Sequence, residues 1–124
     1  MHFGIRKEKL RPKIHQIEHH RSHLASAFFS SPFHEAAIIS IDGSGDFSTT
    51  MLAIGKGSNI EVLESIDFPH SLGIFYTAFT QLLGFPHYSD EYKIMGLAPY
   101  GKPLYVDKLK DVVQLIPGGL FKLN

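Results

Sequence analysis

A chain of 124 residues with 44% hydrophobic content is one domain at most, with enough apolar material for a core. Twelve Lys and Arg balance twelve Asp and Glu, which argues against nucleic acid or an anionic membrane as partner, and no apolar run approaches the roughly 20 residues needed to span a bilayer. With no cysteine there is no disulfide or thiolate site, so any metal must be held by imidazole and carboxylate; no signal-peptide core opens the chain, and a cytoplasmic location is expected.

Residues 1–16 mix charge, Pro12 and scattered apolar positions without a period, and are expected to form an irregular entry segment. The basic cluster Arg6, Lys7, Lys9, Arg11 and Lys13 within it reads as solvated. From Ile17 to about Ser30, Leu24, Ala25, Ala27, Phe28 and Phe29 fit one helix, stopped by Ser31-Pro32. His19 and His23 are four apart on that helix and share a face, so two imidazole nitrogens can converge on one cation. Ala36 to Ile41 is apolar on both faces, the pattern of a central strand covered on each side.

Asp42-Gly43-Ser44-Gly45-Asp46 is expected to turn the chain next. An acidic glycine loop beyond a rigid strand can offer backbone amides and carboxylates to a ligand. Carboxylates alone repel phosphate, so Asp42 and Asp46 beside one make sense with a divalent cation between them. Phe47 to Ile54, the turn Gly55 to Asn59, and the alternating stretch Ile60 to Ile66 complete a three-stranded antiparallel meander. Pro69-His70-Ser71 opens a helix in which Leu72, Phe75, Phe79, Leu82 and Leu83 recur at helical spacing until Gly84, forming a core face over the meander. Glu91 to Gly101 reads as a short helix and a turn. A last helix is expected after Pro103, with Val106, Leu109, Val113 and Ile116 inward, ending at Pro117-Gly118.

Each chemical motif has a plainer counterpart. A His-rich helix start can be polar surface, and an Asp-Gly segment can be an ordinary hairpin turn. The charged triplet Glu91-Tyr92-Lys93 could touch a substrate, but such a triplet is more often a solvated capping turn opening its helix. A zinc-protease reading drops out because Glu18 precedes the first His instead of following it. An EF-hand lacks its glycine and closing glutamate, and Gly55-Lys56-Gly57-Ser58 lacks the upstream glycine and following helix of a phosphate-binding P-loop.

Taken together, His19 to Phe28, Asp42 to Asp46, Phe68-Pro69-His70-Ser71-Leu72-Gly73 and Glu91 to Gly101 resemble the NodU/CmcH family of O-carbamoyltransferases, over about His15 to Lys102. The resemblance implies a mixed α/β fold that is part of an actin-like ATPase (ribonuclease H-like) domain, with residues 17–124 belonging to the N-terminal domain of a longer two-domain enzyme. It implies a reaction in which carbamoyl phosphate and ATP give a carbamoyl-adenylate, whose carbamoyl group passes to a hydroxyl of a small-molecule acceptor. By the family's pattern His19 and His23 would bind an iron-type divalent cation, with Asp42 near metal and phosphates. His20 would face carbamoyl or acceptor oxygens, and Gly43, Ser44 and Gly45, with Asp46, would let phosphate approach the backbone. His20 and Asp42 are thus the catalytic candidates.

The family's later aspartate ligand, its adenine-binding glycine segment and its second domain have no counterpart here. The chain is therefore expected to hold part of a site, to bind metal weakly, and to need the rest of a parent enzyme or a partner chain for turnover. Two alternatives stand beside this: a fragment of a hydrogenase-maturation carbamoyltransferase, against which the Glu91 to Gly101 motif speaks, and a non-catalytic metal- or nucleotide-binding module.

Overall fold

The computed structural model describes residues 13, 15–118 and 120–124, so the expected entry segment lies almost wholly outside the described residues. The first helix, α1, spans His19–Phe29. Its start is fixed from two sides: the Glu18 carboxylate accepts from the backbone N–H groups of His20 and Arg21 at 2.9 and 2.7 Å, and Asp46 accepts from that of His19 at 2.9 Å. These bonds satisfy amides that have no partner inside the helix.

Three strands follow as an antiparallel meander, as the alternation predicts: β1 (Glu35–Gly45), β2 (Ser48–Lys56) and β3 (Asn59–Asp67), in that order across the sheet. One face carries Ile38, Met51 and Ala53, and α1 covers it with Leu24 and Phe28 to form the buried core. The sheet corrects two expectations. Among the described residues β1 is an edge strand, not a central one, and on its outer face Ile39 and Ile41 are 57% and 52% exposed. Asp42 to Gly45 is not a turn but the end of β1, and the chain reverses at Asp46 and Phe47. The register slips between the Ile41↔Thr50 and Gly45↔Ser48 pairs, so Asp42, Gly43 and Ser44 form a bulge, the usual device for re-aiming side chains at the end of a strand.

Helix α2 (Leu72–Leu82) begins at Ser71, whose hydroxyl accepts from the N–H of Ile74 at 3.0 Å, and it packs on β1. Only part of its apolar stripe is covered; Leu82 and Leu83 remain largely exposed. Helix α3 (Glu91–Leu97) and a 3-10 turn (Ala98–Tyr100) follow.

The expected last helix is also corrected. Helix α4 runs only over Val106–Lys110, and the chain then forms a hairpin of β4 (Val113–Ile116) and β5 (Leu120–Leu123). Val106, Leu109, Val113 and Ile116 keep helical spacing, but Val112, Val113 and Ile116 are β-branched and favour the pleated backbone. The hairpin docks by Phe121, which closes an apolar cavity of about 160 Å³ against Ile39, Thr50, Leu52 and Leu72. It is also tied to the start of α2 through the N–H of Leu123, which donates to His70 Nδ1 at 3.2 Å. No helix among the described residues is long and apolar enough to cross a membrane.

Candidate metal centre and adjoining pocket

The β1 bulge turns the Asp42 carboxylate towards the first turn of α1, and three ligand atoms meet there. Asp42 Oδ2 lies 2.9 Å from His19 Nε2 and 3.4 Å from His23 Nε2, and the two imidazole nitrogens are 2.9 Å apart. Protons alone satisfy this triangle poorly. If His19 Nε2 donates to Asp42 it has no lone pair for His23, and if it accepts from His23 it has no proton for Asp42. Three lone pairs aimed at a shared point suit a cation. With bonds of about 2.1 Å, ligands this close together must lie on one side of the metal, which leaves the opposite positions open. The three side chains are 41 to 51% exposed, so the centre can be reached from solvent.

Asp42 is prepared for that role. Its carboxyl is held below the ordinary value of 3.8, first by the hydrogen bond to His19, then by the N–H of Gly43 on Oδ1, with burial opposing. Close packing holds its backbone. A Cβ on Gly73 would stand 2.7 Å from the Asp42 carbonyl carbon, and a Cβ on Gly45 would run into the His19 ring, so glycine is required at both contacts. Ser71, fully buried, joins the pieces: its hydroxyl accepts from Ile74 and donates to the Gly43 carbonyl at 2.6 Å.

The other site residues separate into distinct places. The His20 ring lies 5.5 Å from that of His19 but is fully buried, with Nδ1 2.8 Å from Ser40 Oγ and Nε2 2.9 Å from the Ser48 carbonyl. Both ring nitrogens are thus engaged inside the protein, not turned towards a ligand. Asp46 is committed to the start of α1, and Gly45 is buried under His19. Ser44 is exposed. Of the glycine segment, Asp42 and Gly43 alone border the neighbouring pocket.

That pocket, about 370 Å³, opens beside the His19, His23 and Asp42 cluster, with Tyr76 and Thr77 of α2 on one wall and Glu91 and Met95 of α3 on another. Glu91 accepts from the Thr77 hydroxyl at 2.6 Å, which holds its carboxyl below the ordinary 4.5. From the sequence, contact of Glu91 with a ligand ranks below a solvated turn. The signal was the spacing of Tyr76 and Thr77 on the face of α2 next to Gly73, which is turned to β1 and not to bulk water.

Comparison with known proteins covers nearly the whole chain. The family model described as the carbamoyltransferase N-terminus matches residues 2–124. An uncharacterized protein of Synechocystis, sll1178, is 51% identical over 122 residues, 98% of this chain and 20% of that protein. The nodulation protein NolNO of Sinorhizobium fredii is 38% identical over 90% of this chain and 16% of its own length. The nodulation protein NolO of Bradyrhizobium diazoefficiens is 38% identical over 87% and 20%. The chain thus spans about a fifth of the length of the curated relatives it matches.

Proposed function

The chain belongs to the carbamoyltransferase N-terminus family, and from that premise we propose that it carries the metal-holding part of an O-carbamoyltransferase whose other elements lie in the remaining length of such proteins. The observation that carries this reading is the convergence of His19, His23 and Asp42 beside a pocket of ligand size. The reaction is transfer of a carbamoyl group, activated from carbamoyl phosphate and ATP as a carbamoyl-adenylate, to an acceptor hydroxyl. In this reading the fold is part of an actin-like ATPase domain, and the protein works in the cytoplasm.

Two imidazoles and one carboxylate with open positions opposite suit Fe(II). The cation would supply charge neutralisation between Asp42 and the oxygens of phosphate or carbamoyl groups. The chain's own residues do the rest of what this part can do. Asp42 enters as an ionised ligand because His19 and the Gly43 amide stabilise its charge. The bulge sets it on a rigid strand end, and the space where a Cβ of Gly43 would stand is open. His20 acts as a positioning residue. Its bonds to Ser40 and Ser48 lock the first turn of α1, which aims both metal-binding neighbours.

Anaerobic calorimetric titration with Fe(II) or Co(II), with and without ATP, tests the reading. We expect one metal per chain, tighter binding with ATP, and loss of binding in His23→Ala. A folded wild-type chain that takes up no metal, or a His23→Ala variant that binds as tightly, would overturn it. Turnover by the chain alone is not expected.

A further inference from the structure

The outer face of the meander holds a second cavity, of about 160 Å³, walled by the sheet, the start of α2 and the hairpin of β4 and β5. Among the described residues its lining side chains are hydrocarbon, with Ile39, Ile41, Leu52, Leu72 and Phe121 among them, and with a single exception. Thr50 stands opposite Ile41 of β1 and Ile66 of β3, lines the cavity, and is 3% exposed. Its Oγ1 is the one buried side-chain nitrogen or oxygen among the described residues that has no hydrogen-bond partner. The hydroxyl of the adjacent Thr49, by contrast, reaches the Ile66 carbonyl at 3.1 Å. A buried hydroxyl without a partner costs stability, so the cavity holds an unmet demand for one hydrogen bond.

One oxygen in an apolar space defines what can fill it. Water is poorly matched, because a buried water makes about three hydrogen bonds and Thr50 is the single polar side chain on this lining. A charged group would be stripped of its hydration with nothing here to neutralise it. An uncharged, mainly hydrocarbon molecule with one hydroxyl meets both conditions, since Thr50 Oγ1 can donate to it or accept from it. Size narrows the class further: an apolar cavity of roughly 150 Å³ takes up benzene, and the Phe121 ring offers an aromatic surface for such a molecule to pack on. We propose that this cavity is a binding site for a small, uncharged, phenol-like molecule, a single ring whose one oxygen is held by Thr50 Oγ1. The site is separate from the His19, His23 and Asp42 cluster, and the proposal does not rest on the carbamoyl-transfer reading.

The test is a methyl-detected NMR titration of the ¹³C-labelled chain with phenol and, separately, with toluene, which matches phenol in size and has no hydrogen-bonding group. The expected result is saturable phenol shifts centred on the methyls of Thr50, Leu52 and Leu72, while those of Leu24, in the core on the other face of the sheet, stay in place. Thr50→Val keeps the branched shape and removes the hydroxyl. It should weaken phenol about three- to tenfold and leave toluene bound as before or more tightly. Thr50→Ser, which keeps the hydroxyl, should retain the wild-type ratio of phenol to toluene affinity. Because Thr50→Val deletes a buried group that has no partner, it should melt at or above the wild-type temperature. Absence of saturable phenol shifts at these methyls, or a phenol-to-toluene ratio unchanged in Thr50→Val, would overturn the proposal. A Thr50→Val variant that melts well below the wild type would overturn it too, by showing that water already satisfies the hydroxyl in the free chain.

Discussion

His19, His20 and His23 lie within five residues and do different work. Helical geometry decides which is which. His19 and His23 share one face, while His20 falls on the stripe that continues through Leu24 and Phe28, all three buried against the sheet. That His19 and His23 would meet was legible in the sequence from their spacing. The place of His20 was legible from the same period, but the family motif pointed to substrate oxygens. Replacing His20 by Ala leaves the Ser40 hydroxyl and the Ser48 carbonyl short of a partner in the interior, which should cost about 2–4 kcal/mol in a denaturant melt. Its metal stoichiometry should remain that of the wild type, and a variant as stable as the wild type would contradict the packing role. Gly73→Ala acts at the other side of the site. The added methyl would meet the Asp42 backbone, so α2 must shift from β1 at a cost of about 1–3 kcal/mol, with weaker metal affinity as the second readout.

At the scale of elements, the meander was readable because alternation and turn residues agree, whereas the ends of elements were not. The bulge of Asp42 to Ser44 depends on the offset between the pairs Ile41↔Thr50 and Gly45↔Ser48, and an offset between two strands has no signature in either one alone. The hairpin of β4 and β5 was hidden by apolar residues that satisfy a helical and an extended period alike. Helix α3, which delivers Glu91 to the pocket, is held at its start by Asp90, a nearly buried carboxylate that pairs with Lys93 and also accepts from the N–H of His87 at 3.2 Å. The Lys93 ammonium is the main cause that lowers the Asp90 carboxyl below 3.8, and Asp90 in turn raises Lys93 above 10.5. The carboxylate's contribution is complete above its ordinary pKa and is lost as pH falls through the lowered folded value. That of Lys93 is complete below 10.5 and is lost as pH rises through the raised one. Asp90→Asn should therefore melt at lower temperature than the wild type across neutral pH, with the gap closing at both extremes. A gap that persists well below pH 3.8 would show that the ion pair is not its origin.

At the scale of the whole molecule, the described residues leave a good deal of apolar surface open. Much of it lies at Leu82 and Leu83 at the end of α2 and at Leu115 on the hairpin, while Ile39 and Ile41 on β1 are only partly covered by α2 and the hairpin. Among the described residues β1 is also an open edge, with one side of its ladder unpaired. Open edges and apolar faces of this kind recruit other strands and surfaces. In the relatives, about four-fifths of the protein lies outside the matched region. By itself the chain should bind a hydrophobic dye and sediment as a concentration-dependent mixture. Placing charge on the edge and on the helix end with Ile39→Lys and Leu82→Lys should shift the mixture towards monomer and reduce dye binding, while Co(II) uptake stays unchanged because neither residue touches the triad. A wild-type chain that melts sharply as a dye-free monomer would mean that these faces are closed without help, and the metal centre would then have to be judged as a complete site instead of half of one.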